Sequence, residues 1–305
     1  MWPPTEADDG EADFPSDFPL HTIRVAIVGL GLMGGSLALA LQGQCAALLG
    51  VDPSPEARAL AQASGALDAV SDDPAALLPA ADAVILAAPV RTILALLDAL
   101  PSWHPGPALV LDVGSTKAAI TARMAELPPR FDPIGGHPMA GKEHGGFAHA
   151  EAGLFRDAPF VLTPLQRTTR RARAFALALA RALHARPLWL DAATHDRHAA
   201  AISHLPYLLS LALTLSTPPE AARIAGPGFR STTRLAASPP RMMADILATN
   251  RRPVLEALRH FRTTLDALES ALAAEDPRAL ETLLAEGPPQ RRRLLPPRPP
   301  ERLER

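Results

Sequence analysis

Two stretches of this 305-residue chain hold the residue types and spacings that do chemistry. The segment GGHPMAGKEHGG, Gly135 to Gly146, sets His137 among glycines and directly ahead of Pro138. Glycine relaxes the usual backbone limits and proline has no N–H to donate, so this stretch reads as a glycine-rich turn whose imidazole can approach a ligand closely. Upstream, IRVAIVGLGLMGGSLALAL carries Gly29, Gly31 and Gly34 in the GxGxxG spacing. Such a triplet supplies a tight turn, a bare backbone for a pyrophosphate and close helix–strand packing. The helix N-terminus, at Leu32 and Met33, then faces the phosphates. Alone the triplet is weak evidence; between a strand and a helix, with an acid about 20 residues further on, it is specific for a dinucleotide. Asp52, at the end of LLGVD, is that acid. Its carboxylate suits ribose hydroxyls and repels a 2′-phosphate, so NAD is expected over NADP, with Arg58 on the next helix the residue that argues the other way. The expected chemistry takes place at a nicotinamide, with a histidine beside it.

Positioning these residues calls for an α/β scaffold: an N-terminal Rossmann-type doubly wound domain followed by an all-helical C-terminal domain. Apolar strand candidates recur at Ile23 to Val28, in LLGVD, in AVILAAPV, in ALVLDVGSTK, around Asp132 to Gly136 and in PFVLTP. In open α/β sheets ligands bind at the carboxyl ends of strands, so Pro89, Val90, Gly114 and Ser115 should face the nicotinamide half of the cofactor. Ser115 reads equally as an N-cap of the following helix. From about Arg170 the pattern turns helical, with a short strand in PLWLD and one long helix, Ala192 to Thr217, starting after Asp191 as N-cap. On it His204 shares a face with Arg197, Ala201 and Leu208, and Pro206 must kink the helix or leave a carbonyl free. His204 reads as a satisfied core histidine or as a site residue. His195 and His198 near Asp191 and Asp196 invite a metal reading, but no second cluster completes a site, and no metal is expected.

Composition bounds the alternatives. With 48% hydrophobic residues the chain can bury two ordinary cores. The lone Cys45 excludes an intramolecular disulfide and a multi-cysteine zinc site, and suits a reducing cytoplasm. The acidic N-terminus lacks the basic and apolar regions of a secretory signal. The apolar run Ala199 to Thr217, interrupted by polar residues, reads as a buried helix and not as a membrane span. Both ends are proline-rich, the first acidic and the last rich in arginine. The organisation expected is a disordered acidic tail (1–21), an NAD-binding domain (22–190), a helical substrate and dimerisation domain (191–286) and a disordered Pro/Arg tail (287–305). Arginines without interleaved aromatics do not suggest a nucleic-acid partner. Of the 30 Lys and Arg residues only Lys117 and Lys142 are lysines, and both fall in the motifs above, where a compact charge fits and a broad fork would not.

GLGLMGGSLA, AAPV, DVGSTK, GGHPMAGKEHGG, SHLPY and GFRSTTRLAASPPRMMADI, in this order, resemble the prephenate dehydrogenases and their arogenate-using relatives in tyrosine biosynthesis. The resemblance runs from about Ile23 to Leu284. It implies a cyclohexadienol substrate, prephenate or arogenate, whose C4 hydride goes to NAD while the ring carboxylate leaves as carbon dioxide. It also implies that His137 is the catalytic histidine and Ser115 its hydroxyl partner. His204, Arg234 and, by position, Arg230 and Lys142 would bind substrate, and the C-terminal domain would form a homodimer.

Physical logic agrees with those roles. Removing hydride from a carbinol needs a base on its O–H, and a neutral imidazole suits that task. Arg234 offers a bidentate fork to a carboxylate. Lys142 and Arg230 depart from the residues familiar at their positions; Lys142 is expected to face the pyruvyl end of prephenate and to disfavour an ammonium there. A β-hydroxyacid dehydrogenase shares the GLGxMG opening but relies on a later helical lysine, and none follows Lys142. A cofactor-binding protein without turnover is the reading from a different class.

Overall fold

The computed structural model describes residues 18–274 and 277–295. The first part of the chain alternates strand and helix: β1 (Arg24–Val28), α1 (Leu32–Leu41), β2 (Ala47–Val51), α2 (Pro55–Ala63), β3 (Ala69–Ser71) and α3 (Pro74–Leu77). It continues through β4 (Ala83–Leu86), α4 (Val90–Trp103), β5 (Ala108–Asp112), α5 (Ala118–Ala125) and β6 (Phe131–Pro138). Then follow β7 (Pro159–Pro164), α6 (Arg170–Ala182) and β8 (Arg186–Trp189). The strands form one sheet in the order β3-β2-β1-β4-β5-β6-β7-β8. All neighbours run parallel except β6 and β7. Alternation along the strands sends Val25 and Ile27 into one core layer and Ala26 and Val28 into the other, so both faces are covered. The strand-order reversal beside β1 opens a crevice at the carboxyl edge, the usual ligand position of a doubly wound sheet.

Helices follow: α7 (Ala192–Ala199), α8 (Leu205–Ser216), α9 (Pro227–Thr233), α10 (Pro240–Thr249), α11 (Arg251–Ala273) and α12 (Pro277–Leu294). The single long helix expected from Ala192 to Thr217 is instead α7 and α8 joined by a π-helical turn, Ala200–His204. There the N–H of Leu205 bonds the carbonyl of Ala200, five residues back. The wider turn lets Pro206 enter at the start of a fresh α-helical segment, where its missing N–H costs little. Tyr207, Met243 and Ile246 form a small core between α8 and α10.

The chain divides into two compact units, 1–254 and 255–305. Residues 18–21, expected as part of the acidic tail, join the first unit: Phe18 and Leu20 pack on its core, and Phe18 meets Phe175 edge-on at 5.6 Å. Apolar side chains override the polar composition around them. In the second unit, residues 287–294, expected as part of the Pro/Arg tail, are helical. Pro288 and Pro289 have no N–H to donate to the carbonyls of Leu284 and Ala285, but both of those residues are exposed to water. Arg291, Arg292 and Arg293 favour the negative end of that helix. The remaining tail residues lie outside the described ones.

Candidate active site

A cleft of about 290 Å³ lies at the carboxyl ends of β1, β4, β5 and β6, closed on one side by α10. Gly31, Leu32, Met33, Pro89, Val90 and Ser115 line it, as the motifs predicted, together with His137 and Lys142. Gly29 takes φ +98°, and a Cβ there would lie 2.4 Å from the carbonyl oxygen of Ala87; one on Gly34 would lie 1.8 Å from that of Gly29. These two glycines pack the turn. Gly31 meets nothing within 4 Å and presents bare backbone to the cleft.

That cradle fits a dinucleotide. Gly31 caps α1 without a side-chain hydrogen bond, so the first helical N–H groups are open to an anion. Asp52 is braced by the N–H groups of Leu30 at 2.7 Å and Ser54 at 2.8 Å, and its remaining acceptor sites suit ribose hydroxyls. Arg58 donates to the carbonyls of Asp52 and Pro53 and pairs with Asp72 at 3.2 Å. These contacts hold its guanidinium against the Asp52 turn.

His137 stands on β6, and not on a turn as expected: pairing with β7 carries the strand two residues past Gly136, with His137 opposite Val161. Gly136 is there for close approach, since a Cβ would lie 2.7 Å from the carbonyl of Asp112. The imidazole is half-buried and faces the cleft, while its Nδ1 lies 2.8 Å from Nε2 of His195. His195 Nδ1 in turn lies 2.8 Å from Oδ1 of Asp196. Burial holds His137 well below the usual histidine pKa, with the potential charges of His195, Lys117 and His204 acting in the same direction.

Ser115 lines the cleft and does not cap α5. The orphan N–H groups at that helix start, those of Lys117 and Ala118, are taken by the Asp196 carboxylate at 2.7 and 2.9 Å. Of the Asp191 to His198 cluster, His195 and Asp196 belong to this hydrogen-bonded chain, and Asp191 caps α7 by accepting the N–H of Thr194 at 2.9 Å. Lys117 is wholly buried, its ammonium bonded to Asp112 and to the carbonyl of Gly136 at 2.6 Å. Burial pushes the Asp112 carboxyl up and the Lys117 ammonium down, each opposed by the other's charge.

Of the four expected substrate contacts, Lys142 lines the cleft and His204, Arg230 and Arg234 do not. His204 is buried away from the cleft, its Nδ1 3.1 Å from Nδ2 of Asn250, which also donates to the carbonyl of Asp196 at 2.7 Å. The π-turn carries it inward, and burial lowers its pKa to about 4, opposed by Asp196 and aided by His195. Lys142 lines the cleft, but its ammonium bonds Glu151 at 2.5 Å and the carbonyl of His149 at 2.9 Å. Arg234 is exposed and paired with Glu143, and Arg230 is exposed on α9; neither lines the cleft. An acid within reach captures each of the first two cations when nothing else neutralises it. Sequence reading missed Asn250 and the roles of His195 and Asp196. Nothing along the chain could pair His137 with His195, 58 residues away, or Asp196 with Asn250, 54 away. Met242 and Ile246, the apolar wall from α10, had no motif either.

Comparisons with known proteins agree in both halves. The family model described as prephenate dehydrogenase, nucleotide-binding domain, matches residues 37–187, and that described as prephenate dehydrogenase, dimerization domain, matches residues 191–286. The chain is 33% identical over 264 residues to a prephenate dehydrogenase of Bacillus subtilis, covering 83% of this chain and 71% of that protein. It superposes with TM-score 0.83 and 29% identity on the prephenate dehydrogenase of A. aeolicus in complex with hydroxyphenyl propionate and NAD+, covering 89% and 98% of the two chains. The arogenate dehydrogenase of Synechocystis gives TM-score 0.77 and 31% identity, with 90% and 100% covered.

Proposed function

The chain belongs to the prephenate dehydrogenase family, NAD-dependent dehydrogenases, and on that premise we propose that it converts prephenate to 4-hydroxyphenylpyruvate in tyrosine biosynthesis. The observation that carries this reading is His137: tethered at Nδ1 and lining the same cleft as the glycine turn. NAD, when bound at the glycine turn and Asp52, supplies the hydride acceptor for C4 of the substrate. His137 takes the carbinol proton at its free ring nitrogen and can return it to the phenol oxygen once the ring has lost its carboxylate as carbon dioxide. Its lowered pKa keeps it unprotonated, and so competent as a base, at neutral pH. Ser115 shares the substrate hydroxyl and fixes its orientation. Met242 and Ile246 exclude water from the reacting face. Arg234 leaves Glu143 for a substrate carboxylate, an exchange made easy because the pair is solvent-exposed.

One observation favours a second reading, use of arogenate as well. The ammonium of Lys142 is already matched by Glu151, which removes the charge expected to reject an amino group. We further propose a homodimer formed through the helical part of the chain. The stretch Ala192–Ser216 has the length and hydropathy of a membrane span, and the apolar run from Ala199 to Thr217, expected to be a buried helix, is largely uncovered within the single chain. Ile202, Leu213 and Leu215 stand exposed there, with Ile224 shortly after, an apolar face that a second copy would cover. The buried His195, Asp196 and His204 on the same stretch argue against lipid as its surroundings. We place the enzyme in the cytoplasm, where Cys45, its thiol pushed up to about 11 by burial and by Asp68, stays reduced. The test is NADH formation by purified protein with NAD and either prephenate or arogenate. Turnover of prephenate is expected; turnover of neither substrate would overturn the function, and comparable efficiency on both would establish the second reading.

A further inference from the structure

Behind His137 lies a chain of groups whose donor and acceptor roles can be worked out one by one. Asp196 starts it. Its Oδ1 accepts the N–H of Lys117 at 2.7 Å and its Oδ2 accepts that of Ala118 at 2.9 Å, so the carboxylate acts as an acceptor on both oxygens. The atom of His195 that faces Oδ1, Nδ1 at 2.8 Å, must then carry a proton. A neutral imidazole has one N–H, so Nε2 of His195 is left as an acceptor. The atom 2.8 Å from that acceptor is Nδ1 of His137, which must donate. His137 is left with its lone pair on Nε2, the nitrogen not tied to His195.

We propose that His195 and Asp196 are positioning residues that lock His137 in the Nδ1–H tautomer, so that Nε2 is always the free base toward the cleft. The proposal rests on the reading of His137 as the base. Alone, a histidine distributes its proton over both nitrogens, and one of the two forms would present an N–H to the substrate hydroxyl and could not accept its proton. The device also serves the charged state. When Nε2 takes the proton, the Nδ1–H bond to His195 persists and the Asp196 charge lies one ring away, stabilising the imidazolium without itself being protonated, as the carboxylate of a hydrolase triad does. Asn250, donating to the carbonyl of Asp196, and the start of α5 hold that carboxylate in place. His195 and Asp196 are both 2% exposed, so water does not compete for these bonds.

The first experiment is nitrogen NMR of the wild-type protein with isotopically labelled histidine, which reads the tautomer of His137 directly. A proton on Nδ1 is expected; a proton on Nε2 at neutral pH would overturn the proposal whatever the variants do. Asp196→Leu removes the acceptor that holds the proton on Nδ1 of His195, so neither His195 nor His137 is confined to one tautomer any longer. It should lower kcat by about 10²–10⁴ with the affinity for NAD unchanged. In His195→Gln the amide oxygen can still accept from His137 Nδ1, whereas His195→Phe fills the space without an acceptor, so Gln should retain at least about tenfold more kcat than Phe, the equivalent of one hydrogen bond. Equal kcat in these two variants would also overturn it. Should wild-type protein fail to oxidise either substrate, the functional reading falls, while the tautomer is still decided by the NMR measurement.

Discussion

The chain's two lysines both meet a carboxylate near the cleft, in opposite settings. Lys117 and Asp112 are 0% exposed and lie beneath the cleft floor, where the ammonium also ties down the carbonyl of Gly136 next to His137. Lys142 and Glu151 are 29% and 63% exposed at the mouth, where Arg234 and Glu143 form a second exposed pair. Charges taken out of water are held only by their partners, and losing one leaves the other stranded. Charges at the surface are already solvated and exchange partners at little cost. The floor is therefore built to stay fixed and the mouth to be rearranged by a ligand. On the proposed function, chemistry belongs to the first and capture to the second.

That contrast can be broken at either end. The largest effect is expected on the floor: His137→Asn should lower kcat by about 10²–10⁴ with little change in KM, and full kcat would remove the floor from the chemistry. The same residue sets the pH profile. Its pKa is depressed, so its basic form persists through neutral pH, and kcat/KM should stay flat down past the ordinary histidine value and fall only on further acidification. An acidic limb centred at or above that value would contradict the buried setting. Next, Lys117→Met should destabilise the fold by about 3–5 kcal/mol, read from urea unfolding, because it strands Asp112. A loss below about 1 kcal/mol would make this pair equivalent to an exposed one.

Effects at the mouth should be smaller and of another kind. Arg234→Ala should weaken substrate binding by about 1.5–3 kcal/mol, the range of a charged hydrogen bond, raising KM while the protein unfolds at the same urea concentration. An unchanged KM would exclude it as the substrate's carboxylate partner. Smallest of all, Lys142→Ala should cost at most about 1 kcal/mol of stability and leave the ratio of prephenate to arogenate efficiency unaltered. A shift in that ratio toward arogenate would restore Lys142 to substrate selection and show that it leaves Glu151 when ligand binds.

Legibility followed the range of the interactions. The glycine turn, Asp52, Pro89 and Val90 could be placed from the chain because each acts within a strand–turn–helix unit whose hydrogen bonds are local. His137 and Ser115 were found as residues, but their settings were not. Strand pairing with β7 moved His137 off the expected turn, and a carboxylate from α7 took over the capping role that Ser115 could have played. Pro206 announced a disturbance in the long helix, yet the π-turn that absorbs it leaves His204 buried beside Asn250, 46 residues away. Residues 18–21 and 287–294 show the limit of composition, which averages over the few side chains that decide whether a segment packs or continues a helix.

The linear order of residues was enough to determine the doubly wound fold, the dinucleotide site and the histidine that faces it, because periodicity, turn chemistry and motif spacing are written within a few residues of each other. Which partner each of those residues meets was decided only by the tertiary structure. His137 acquires its direction from His195 and Asp196, and Lys142 and Arg234 are drawn to Glu151 and Glu143. Hydrogen bonds and charges act through space, and space is set by the folding of segments far apart in the chain.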